Sequence, residues 1–270
     1  MKKKGGKFIL NRLYPVRYLG KFKEGFSKPQ LFLMSDGKEY LVKFKENPQG
    51  TRVLVNDWVV GRLAQLLGLP VAPFELTYFS KYDFKKFSDL YRYGFKPGHQ
   101  FASKLLKDCT GLWEPRSNEK IVNIDTLPGI IVFDYWVNNT DRDTGNVLLE
   151  KLSDHTNYLH LIDHGLCFPG YANSIEMLKQ VPRNLLNQAA HTWAVSQIEN
   201  PKSLLKFTEK VLALPSEKIL SVINTIPDDW DVSSSEKKAL YQYLLSAKKA
   251  LPFLILKFID KYFDKDESDD

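Results

Sequence analysis

The chain has 270 residues, of which 43% are hydrophobic, 26% are charged and 13% are aromatic. This composition is that of an ordinary globular protein and excludes disorder as the main state. The two cysteines, Cys109 and Cys167, are too few for a disulfide framework or a cysteine-based zinc site. No apolar run approaches the roughly 18 residues of a membrane span, and no signal peptide is evident. We therefore expect a cytoplasmic protein without a transmembrane segment.

The formal net charge is +6 at pH 7, and charges of opposite sign crowd the two ends of the chain. We interpret residues 1–15 as a basic N-terminal segment and residues 264–270 as an acidic tail. A basic balance can favour phosphate-rich ligands, nucleic acid or an anionic membrane surface, but a solvated lysine-rich surface is the simpler explanation. We therefore expect no direct nucleic-acid binding.

The N-terminal part of the chain has the pattern of a small antiparallel sheet with one helix. Strands are predicted at residues 16–19, 30–33 and 40–44. The pair Asp36-Gly37 is a turn signal between the last two strands. Residues 51–67 carry apolar side chains at helical spacing, and Gly68 and Pro70 end that helix. Two further apolar segments of strand length are predicted at residues 71–79 and 100–106.

The rest of the chain has a mainly helical pattern. A helix is predicted at 127–137, where Pro128 suits the first turn. The strands of a hairpin are predicted at residues 147–149 and 158–162. Further helices are predicted at residues 204–214, 217–225 and 235–263. Pro252 forces a break or kink in the last of these, and Ser233 with Glu236 forms a capping box at its start. The order predicts an α+β fold.

A dense polar cluster, residues 138–146, separates the helix at 127–137 from the hairpin. Phosphoryl transfer needs an acid that orients or deprotonates an acceptor hydroxyl, and oxygen ligands that hold magnesium against a triphosphate. Asp141 and Asn146, five residues apart, supply both. Asp163 ends the second strand of the hairpin and adds a second metal ligand, so the hairpin brings the three residues together.

The spacing by itself is a weak signal, because Asp134 and Asn139 have it too, where the helix is still running. Each acid taken singly is better explained by capping or turn formation. What favours a catalytic site is the combination of a loop acid, an asparagine five residues on, a hairpin and a strand-terminal acid. Three other conspicuous side chains are attributed to packing in the helical core: His191, Trp193 and Trp230.

Lys43 interrupts the apolar segment at 40–44, and a cation there could reach the α- and β-phosphates of ATP. An ordinary outward-facing strand lysine is the alternative. Asp57, near the start of the helix at 51–67, is the nearest acid that could orient this lysine. A first-turn acid favoured by the helix dipole explains Asp57 equally well.

The turn at residues 24–29 is predicted to cover the phosphates, with Ser27 and Lys28 helping the backbone amides to bind them. An ordinary hairpin turn is nearly as good an interpretation. The adenine base needs a strand edge, and the segment best placed by its order in the chain contains Gln100, Phe101 and Ser103.

Six segments taken together resemble the HipA-like kinases, with a more distant likeness to the phosphoinositide kinases. The resemblance runs from about Lys21 to Trp230. The segments are Gly-Phe-Ser-Lys-Pro at 25–29, Glu-Tyr-Leu-Val-Lys-Phe at 39–44, the stretch at 56–73, the stretch at 98–103, the stretch at 133–146, and Ile-Asp-His-Gly at 162–165.

The resemblance implies a bilobal protein-kinase-like fold that uses ATP and magnesium. We place a small β-rich N-lobe at 16–106, with a hinge near 98–106, and a larger, mainly helical C-lobe at 107–263. The resemblance also assigns roles to individual residues. It implies that Asp141 is the catalytic acid or base, that Asn146 and Asp163 are metal ligands, and that Lys43 binds the phosphates.

Three residues depart from the pattern of the relatives. Asp143 stands where many of them carry histidine, His164 replaces the phenylalanine of the usual Asp-Phe-Gly, and Asp57 occupies the position of a glutamate. None of these changes removes a metal ligand. We therefore expect an active enzyme.

The function expected is that of an ATP- and magnesium-dependent protein serine/threonine kinase that transfers the γ-phosphate to a hydroxyl, with a protein as the expected acceptor. A kinase for a lipid headgroup or another small hydroxyl compound is the first alternative, because residues 139–142 resemble the phosphoinositide kinases. A catalytically inactive nucleotide-binding module is the second. The apolar segment at 251–259 is interpreted as a kinked core helix rather than a partner surface.

Overall fold

The computed structural model describes residues 13–23, 25–112, 120–169 and 174–263. The predicted acidic tail, most of the basic N-terminal segment and Glu24 lie outside these ranges. The chain divides into two compact units. The first unit consists of Met1–Pro48 and Pro73–Leu105, and the second of Gln49–Ala72 and Leu106–Asp270.

The strands and helices are numbered here in chain order. The strands are β1 Pro15–Lys21, β2 Gln30–Met34, β3 Glu39–Lys43, β4 Phe74–Phe79, β5 Gly98–Lys104, β6 Cys109–Gly111, β7 Lys120–Ile121, β8 Val147–Ser153 and β9 Thr156–Leu161. The α-helices are α1 Thr51–Leu66, α2 Lys81–Lys86, α3 Leu127–Val137, α4 Ala189–Val195, α5 Lys202–Ala213, α6 Ser216–Ile223 and α7 Ser234–Tyr262.

The first unit contains an antiparallel sheet with the strand order β1-β2-β3-β5-β4. The predicted meander of three strands is therefore confirmed. Aromatic side chains fill the core beneath it: Phe32 meets Phe79 edge-on at 5.0 Å, and Phe44 stacks on Phe95 at 4.3 Å. Helix α2 was not predicted, and it begins with a capping box between Ser80 and Asp83.

The second unit contains the predicted hairpin, within a sheet of order β6-β8-β9-β7. The register pairs Val147 with Leu161 and Leu149 with Leu159, and these four side chains are buried. The first residue of β8, Val147, therefore lies opposite the last residue of β9, Leu161. This pairing places the loop before β8 beside the segment after β9.

Helix α3 packs against α5 and α7 in the second unit. A Cβ atom on Gly129 would lie 2.5 Å from the ring of Phe207, so only glycine permits this approach of α3 and α5. The capping box of Ser233 and Glu236 is confirmed at the start of α7. The helix continues through Pro252, so of the expected break or kink the break does not occur.

Helix α1, which we assigned to the N-lobe, belongs to the second unit. The reason is a set of polar contacts with the helical part of the chain. The indole nitrogen of Trp58 donates to Thr225 Oγ1 at 2.9 Å, and Lys210 Nζ donates to the carbonyl of Leu67 at 2.7 Å. In the ranges that the structure describes, no helix combines the length and the apolar character needed to cross a bilayer.

Candidate active site

The loop between α3 and β8 is shaped by Asp143. Its Oδ1 atom accepts hydrogen bonds from the backbone nitrogens of Gly145 at 2.7 Å and Asn146 at 3.0 Å. These bonds fold Thr144–Asn146 into a short 3-10 turn that leads directly into β8. Asp143 therefore holds the loop in shape.

Asn146 turns its side chain toward Asp141. The amide nitrogen donates to the backbone carbonyl of Asp141 and, at 3.3 Å, to its carboxylate oxygen Oδ2. Because the nitrogen faces Asp141, the amide oxygen is the atom of Asn146 that can serve as a metal ligand. The predicted pair is thus in direct contact.

The electrostatic environment of Asp141 favours its protonated form. Partial burial raises the pKa of this carboxyl, and the negative charges of Asp163 and Asp143 raise it further. The hydrogen bond from Asn146 and the charge of Arg142 oppose that change without cancelling it. A raised pKa suits a group that must take up a proton during catalysis.

Asp163 follows the last residues of β9 and has a left-handed backbone, with φ at +49°. This conformation is uncommon for a residue other than glycine and costs energy, and such strain is concentrated at functional sites. Its Oδ1 atom accepts a hydrogen bond from Gly165 N at 3.2 Å. The preceding Ile162 N donates to the carbonyl of Asn146 at 3.1 Å, so Asp163 is joined to the loop before β8.

Helix α1 binds the backbone that follows Asp163. The carboxylate of Asp57 accepts from His164 N at 2.8 Å, and the side-chain nitrogen of Asn56 donates to the carbonyls of Gly165 at 2.8 Å and Cys167 at 2.9 Å. Val53 packs so closely that a Cβ on Gly165 would lie 2.6 Å from its Cγ1. Asp57 lies beyond the first turn of α1, so the explanation by the helix dipole does not hold, and its carboxylate acts on the strand-terminal segment.

Arg142 lies at the centre of this arrangement and is fully buried. Its guanidinium donates to both carboxylate oxygens of Asp134, at 3.0 and 3.2 Å, and to the carbonyls of Asn146 and Ile162, each at 3.0 Å. A fifth contact, at 3.1 Å, joins it to His164 Nδ1. Since arginine has five N–H donors and no acceptor, all five are used, and His164 Nδ1 must be the acceptor.

Asp134 is the buried counter-ion of Arg142. Burial alone would raise the pKa of this carboxyl, but the charge of Arg142 and the hydrogen bonds from His191 and Arg142 outweigh burial and lower it well below its ordinary value. The side-chain nitrogen of Asn139 also donates to Asp134, at 2.9 Å. Asn139 Oδ1 in turn accepts from Asp141 N at 3.1 Å. The Asp134 carboxylate on α3 is thus connected to the loop through both Arg142 and Asn139.

The remaining predicted residues lie in the first unit. Ser27 is buried in the turn before β2, where Lys28 has a left-handed backbone and its nitrogen donates to Gly25 O at 3.1 Å. Lys43, half-buried at the end of β3, pairs with Phe101 of β5. Their predicted contacts with a nucleotide stay predictions.

The predicted adenine-binding segment lies on β5. Gln100 is fully buried, and its Oε1 atom accepts from Lys45 N at 2.8 Å. Phe101 is buried and stacks on Phe74 at 5.4 Å, whereas Ser103 is half-buried. The side chains of Gln100 and Phe101 therefore have structural partners. Because β5 lies between β3 and β4 in the sheet, the strand edge expected for the adenine base is not found in this segment.

The HipA-like kinase family model matches residues 16–252 of this sequence, which is most of the chain. The chain belongs to the HipA-like kinase family. Two solved structures show that its fold is that of a kinase. Among the curated proteins, none is similar enough in sequence to match.

The first of these structures is the Helicobacter pylori proinflammatory kinase CtkA, with 16% identity and a TM-score of 0.58 over 90% of this chain and 95% of that one. The second is the Golgi casein kinase, with 10% identity and a TM-score of 0.51 over 92% of this chain and 74% of that one. At these identities the likeness concerns the fold, and it confirms the predicted kinase-like α+β architecture.

Part of the site of this HipA-like kinase was not predicted from the sequence. The spacing of Asp134 and Asn139 was taken as a chance match and His191 was attributed to packing, although His191 Nε2 lies 3.0 Å from Asp134 Oδ2. One signal could have found them. Asp134 is the single charged residue in the apolar helix α3, and a buried charge requires a partner of opposite charge or several hydrogen bonds.

Proposed function

We propose that this HipA-like kinase is an ATP- and magnesium-dependent protein serine/threonine kinase. The observation that carries the proposal is the contact between Asp141 and Asn146, with Asn146 and the residue before Asp163 both hydrogen-bonded to Arg142. An acid, an amide oxygen and a second acid are thereby grouped in one unit. This is the donor set that phosphoryl transfer to a hydroxyl requires.

Asp141 is the residue that we propose to accept the proton of the acceptor hydroxyl. Its half-buried carboxylate and its raised pKa both suit this role. Asn146 supports it by donating to Oδ2, which fixes the orientation of the carboxylate relative to the loop. Asp143 contributes indirectly, because it holds the backbone of Asn146.

The side chains fit magnesium held jointly with phosphates. In the described part of the chain, no group of three or more histidine, cysteine, aspartate or glutamate side chains could hold a metal by itself. Magnesium typically takes one or two carboxylates and completes its shell with water and substrate phosphates. Asn146 and Asp163 match that limited donor set, and magnesium bound there would neutralise charge that develops on the phosphates.

The nucleotide contacts in the first unit are proposed on the family resemblance alone. Lys43 would pair with the α- and β-phosphates, and Ser27 and Lys28 would contribute to the phosphate-covering turn. Protein is the proposed acceptor because the family includes protein serine kinases. The resemblance does not exclude a lipid headgroup or another small hydroxyl compound, so the experiment below compares all three.

The test is a transfer assay with labelled ATP and magnesium. The acceptors are the protein itself, serine- and threonine-containing peptides, phosphoinositide vesicles and small polyols. We expect label on protein or peptide, and loss of transfer in Asp141→Ala with nucleotide binding retained. The control is Asp154→Ala, an exposed aspartate in the turn between β8 and β9, which should leave transfer unchanged.

Three results would overturn the proposal. Labelling of vesicles or polyols without any labelling of protein would replace the protein kinase by a lipid or small-molecule kinase. Wild-type transfer in Asp141→Ala would remove Asp141 from its role as the base. If nucleotide binds but no acceptor and no water receives phosphate, the chain is an inactive nucleotide-binding module.

A further inference from the structure

The buried histidine of α4 is not used by the proposed chemistry. His191 is 2% exposed, and its Nε2 atom lies 3.0 Å from Oδ2 of Asp134. Its other ring nitrogen, Nδ1, has no hydrogen-bond partner within the described residues. Because Asp134 is an ionised acceptor, the proton must be on Nε2, which donates to it. His191 is therefore a hydrogen-bond donor as well as a packing residue.

Aromatic neighbours fix the orientation of this imidazole. Its ring stacks on Tyr135, with 6.0 Å between centroids and 21° between planes, and meets the edge of Phe258 at 6.5 Å and 89°. A ring held on two sides cannot turn Nε2 away from Asp134 without disturbing both neighbours. The hydrogen bond is thus built into the packing of α4 against α3 and α7.

His191 completes the set of donors around the Asp134 carboxylate. Oδ1 receives hydrogen bonds from Asn139 and from Arg142 Nη2, and Oδ2 receives them from Arg142 Nε and His191. Asn139 and Arg142 belong to the loop between α3 and β8, residues 138–146, which carries the proposed base Asp141 and is called the catalytic loop in this subsection. His191 is the donor that reaches this carboxylate from outside α3 and the loop.

A shift of the Asp134 carboxylate would displace all three proposed site residues, Asp141, Asn146 and Asp163. Through Asn139, it would reach the backbone nitrogen of Asp141. Through Arg142, it would reach the carbonyls of Asn146 and of Ile162, the residue before Asp163. A donor that fixes the carboxylate therefore fixes the base and both proposed metal ligands together.

We infer that His191 is a positioning residue, which orients the catalytic loop through Asp134, Asn139 and Arg142. The inference rests on the proposed function for its kinetic consequence, but the geometry that it assigns can be tested without turnover. A second contact supports the same connection: Ala190 N donates to the carbonyl of Arg142 at 3.4 Å. Helix α4 thus holds the loop by a backbone and a side-chain hydrogen bond.

Three substitutions at residue 191 separate positioning from packing. His191→Leu fills the space without a donor. His191→Gln can place its amide nitrogen near the position of Nε2, whereas the shorter His191→Asn places its amide nearer to Nδ1. The matched control is His160→Leu, because His160 also pairs with a carboxylate, Glu150, at 2.7 Å in the same unit.

The kinetic measurements are kcat per nucleotide-binding site, KM for ATP and the magnesium concentration that gives half-maximal rate. We expect His191→Leu and His191→Asn to lower kcat by ~10- to 100-fold and to raise the magnesium requirement, with KM for ATP little changed. His191→Gln should return kcat to within ~3-fold of wild type, as should the control. Counting binding sites by titration removes the contribution of unfolded protein.

The second readout is hydrogen exchange at the amide of Asp141, which is bonded to Asn139. We expect faster exchange in His191→Leu and His191→Asn, and wild-type exchange in His191→Gln and in the control. If His191→Leu does not fold, the comparison of His191→Gln with His191→Asn distinguishes positioning from packing. Equal kcat and equal exchange in these two variants would overturn the inference.

The two proposals can fail separately. If the wild-type protein transfers no phosphate to any acceptor, the proposed function fails and the exchange measurement alone tests His191. If the wild type is active but His191→Leu keeps wild-type kcat and wild-type exchange, the histidine is only a packing residue and the proposed function stands.

Discussion

The guanidinium of Arg142 and the carboxylate of Asp134 form an ion pair with Nε–Oδ2 at 3.0 Å, and neither side chain is accessible to solvent. Burial of two charges is costly unless the remaining donors and acceptors are also satisfied. Here the other N–H groups of Arg142 reach the carbonyls of Asn146 and Ile162 and the ring of His164. The pair therefore fixes the relative positions of α3, the loop between α3 and β8, and the end of β9.

Arg142→Met is expected to lower the free energy of unfolding by about 3–5 kcal/mol, because it leaves the Asp134 charge buried without its partner. Adding Asp134→Asn to this variant removes that charge, so the double variant should be more stable than Arg142→Met alone. Urea denaturation of the four proteins of this cycle measures both effects. A double variant that loses the sum of the two single losses would mean that the residues do not interact.

The same pair makes stability depend on acid pH. The pKa of Asp134 is lower in the folded protein than in the unfolded chain, where an aspartate titrates near about 3.9. Its stabilising contribution is therefore complete above that value and is lost as the pH falls through the lower, folded-state pKa. Below about pH 4, the unfolding free energy of wild type should fall more steeply than that of Asp134→Asn.

Asp141→Asn should stabilise the fold while it abolishes phosphate transfer. The pKa of Asp141 is raised in the folded state by burial and by the charges of Asp163 and Asp143. At neutral pH, ionised Asp141 therefore disfavours the folded state, and removal of its charge relieves that cost. We expect the Tm to rise by about 1–3 °C. Calorimetry at pH 7 provides the measurement, and an unchanged or lower Tm would contradict it.

The sequence predicted those elements that local patterns determine. The hairpin β8–β9, the first turn of α3 with Pro128 and the capping box at Ser233 depend on residues close to one another in the chain. For that reason their spacing was informative. The pairing of Asp141 with Asn146 belongs to the same class, because a contact across five residues is also local.

Contacts between distant residues could not be predicted in this way. The hydrogen bond of Asp57 with His164 spans 107 positions, and that of His191 with Asp134 spans 57. No periodicity or spacing relates such residues, because tertiary packing alone brings them together. The contact between Asp134 and Asn139 is local by comparison, and it was missed because their spacing was taken as a chance match: α3 ends at Val137, so Asn139 can turn back to the Asp134 carboxylate.

Two substitutions of Asp57 separate its two possible roles. Asp57→Asn keeps an oxygen that can accept from His164 N but removes the negative charge that would orient Lys43. Asp57→Leu removes both. If binding of the His164 backbone is the main role, the asparagine variant should keep kcat within ~3-fold of wild type, and the leucine variant should lose ~10-fold or more. Equal losses in both variants would favour the charge-dependent role. Steady-state kinetics at saturating magnesium provide the comparison.

Gly165 is predicted to be intolerant of a single added carbon, and Val53 is the reason. A Cβ at residue 165 would lie 2.6 Å from Val53 Cγ1 and 3.2 Å from Asp163 Oδ1, both too close for ordinary contact. Because Val53 is almost fully buried in α1, it cannot move aside without disturbing the helix. Gly165→Ala should therefore destabilise the fold by about 1–3 kcal/mol and displace Asp163, which raises the magnesium requirement.

Val53→Ala creates the missing space, so the double variant Val53→Ala/Gly165→Ala should recover both stability and magnesium dependence relative to Gly165→Ala. Failure of that recovery, with Val53→Ala itself folded and active, would show that the contact with Asp163 Oδ1, and not the approach of α1, excludes a side chain at residue 165.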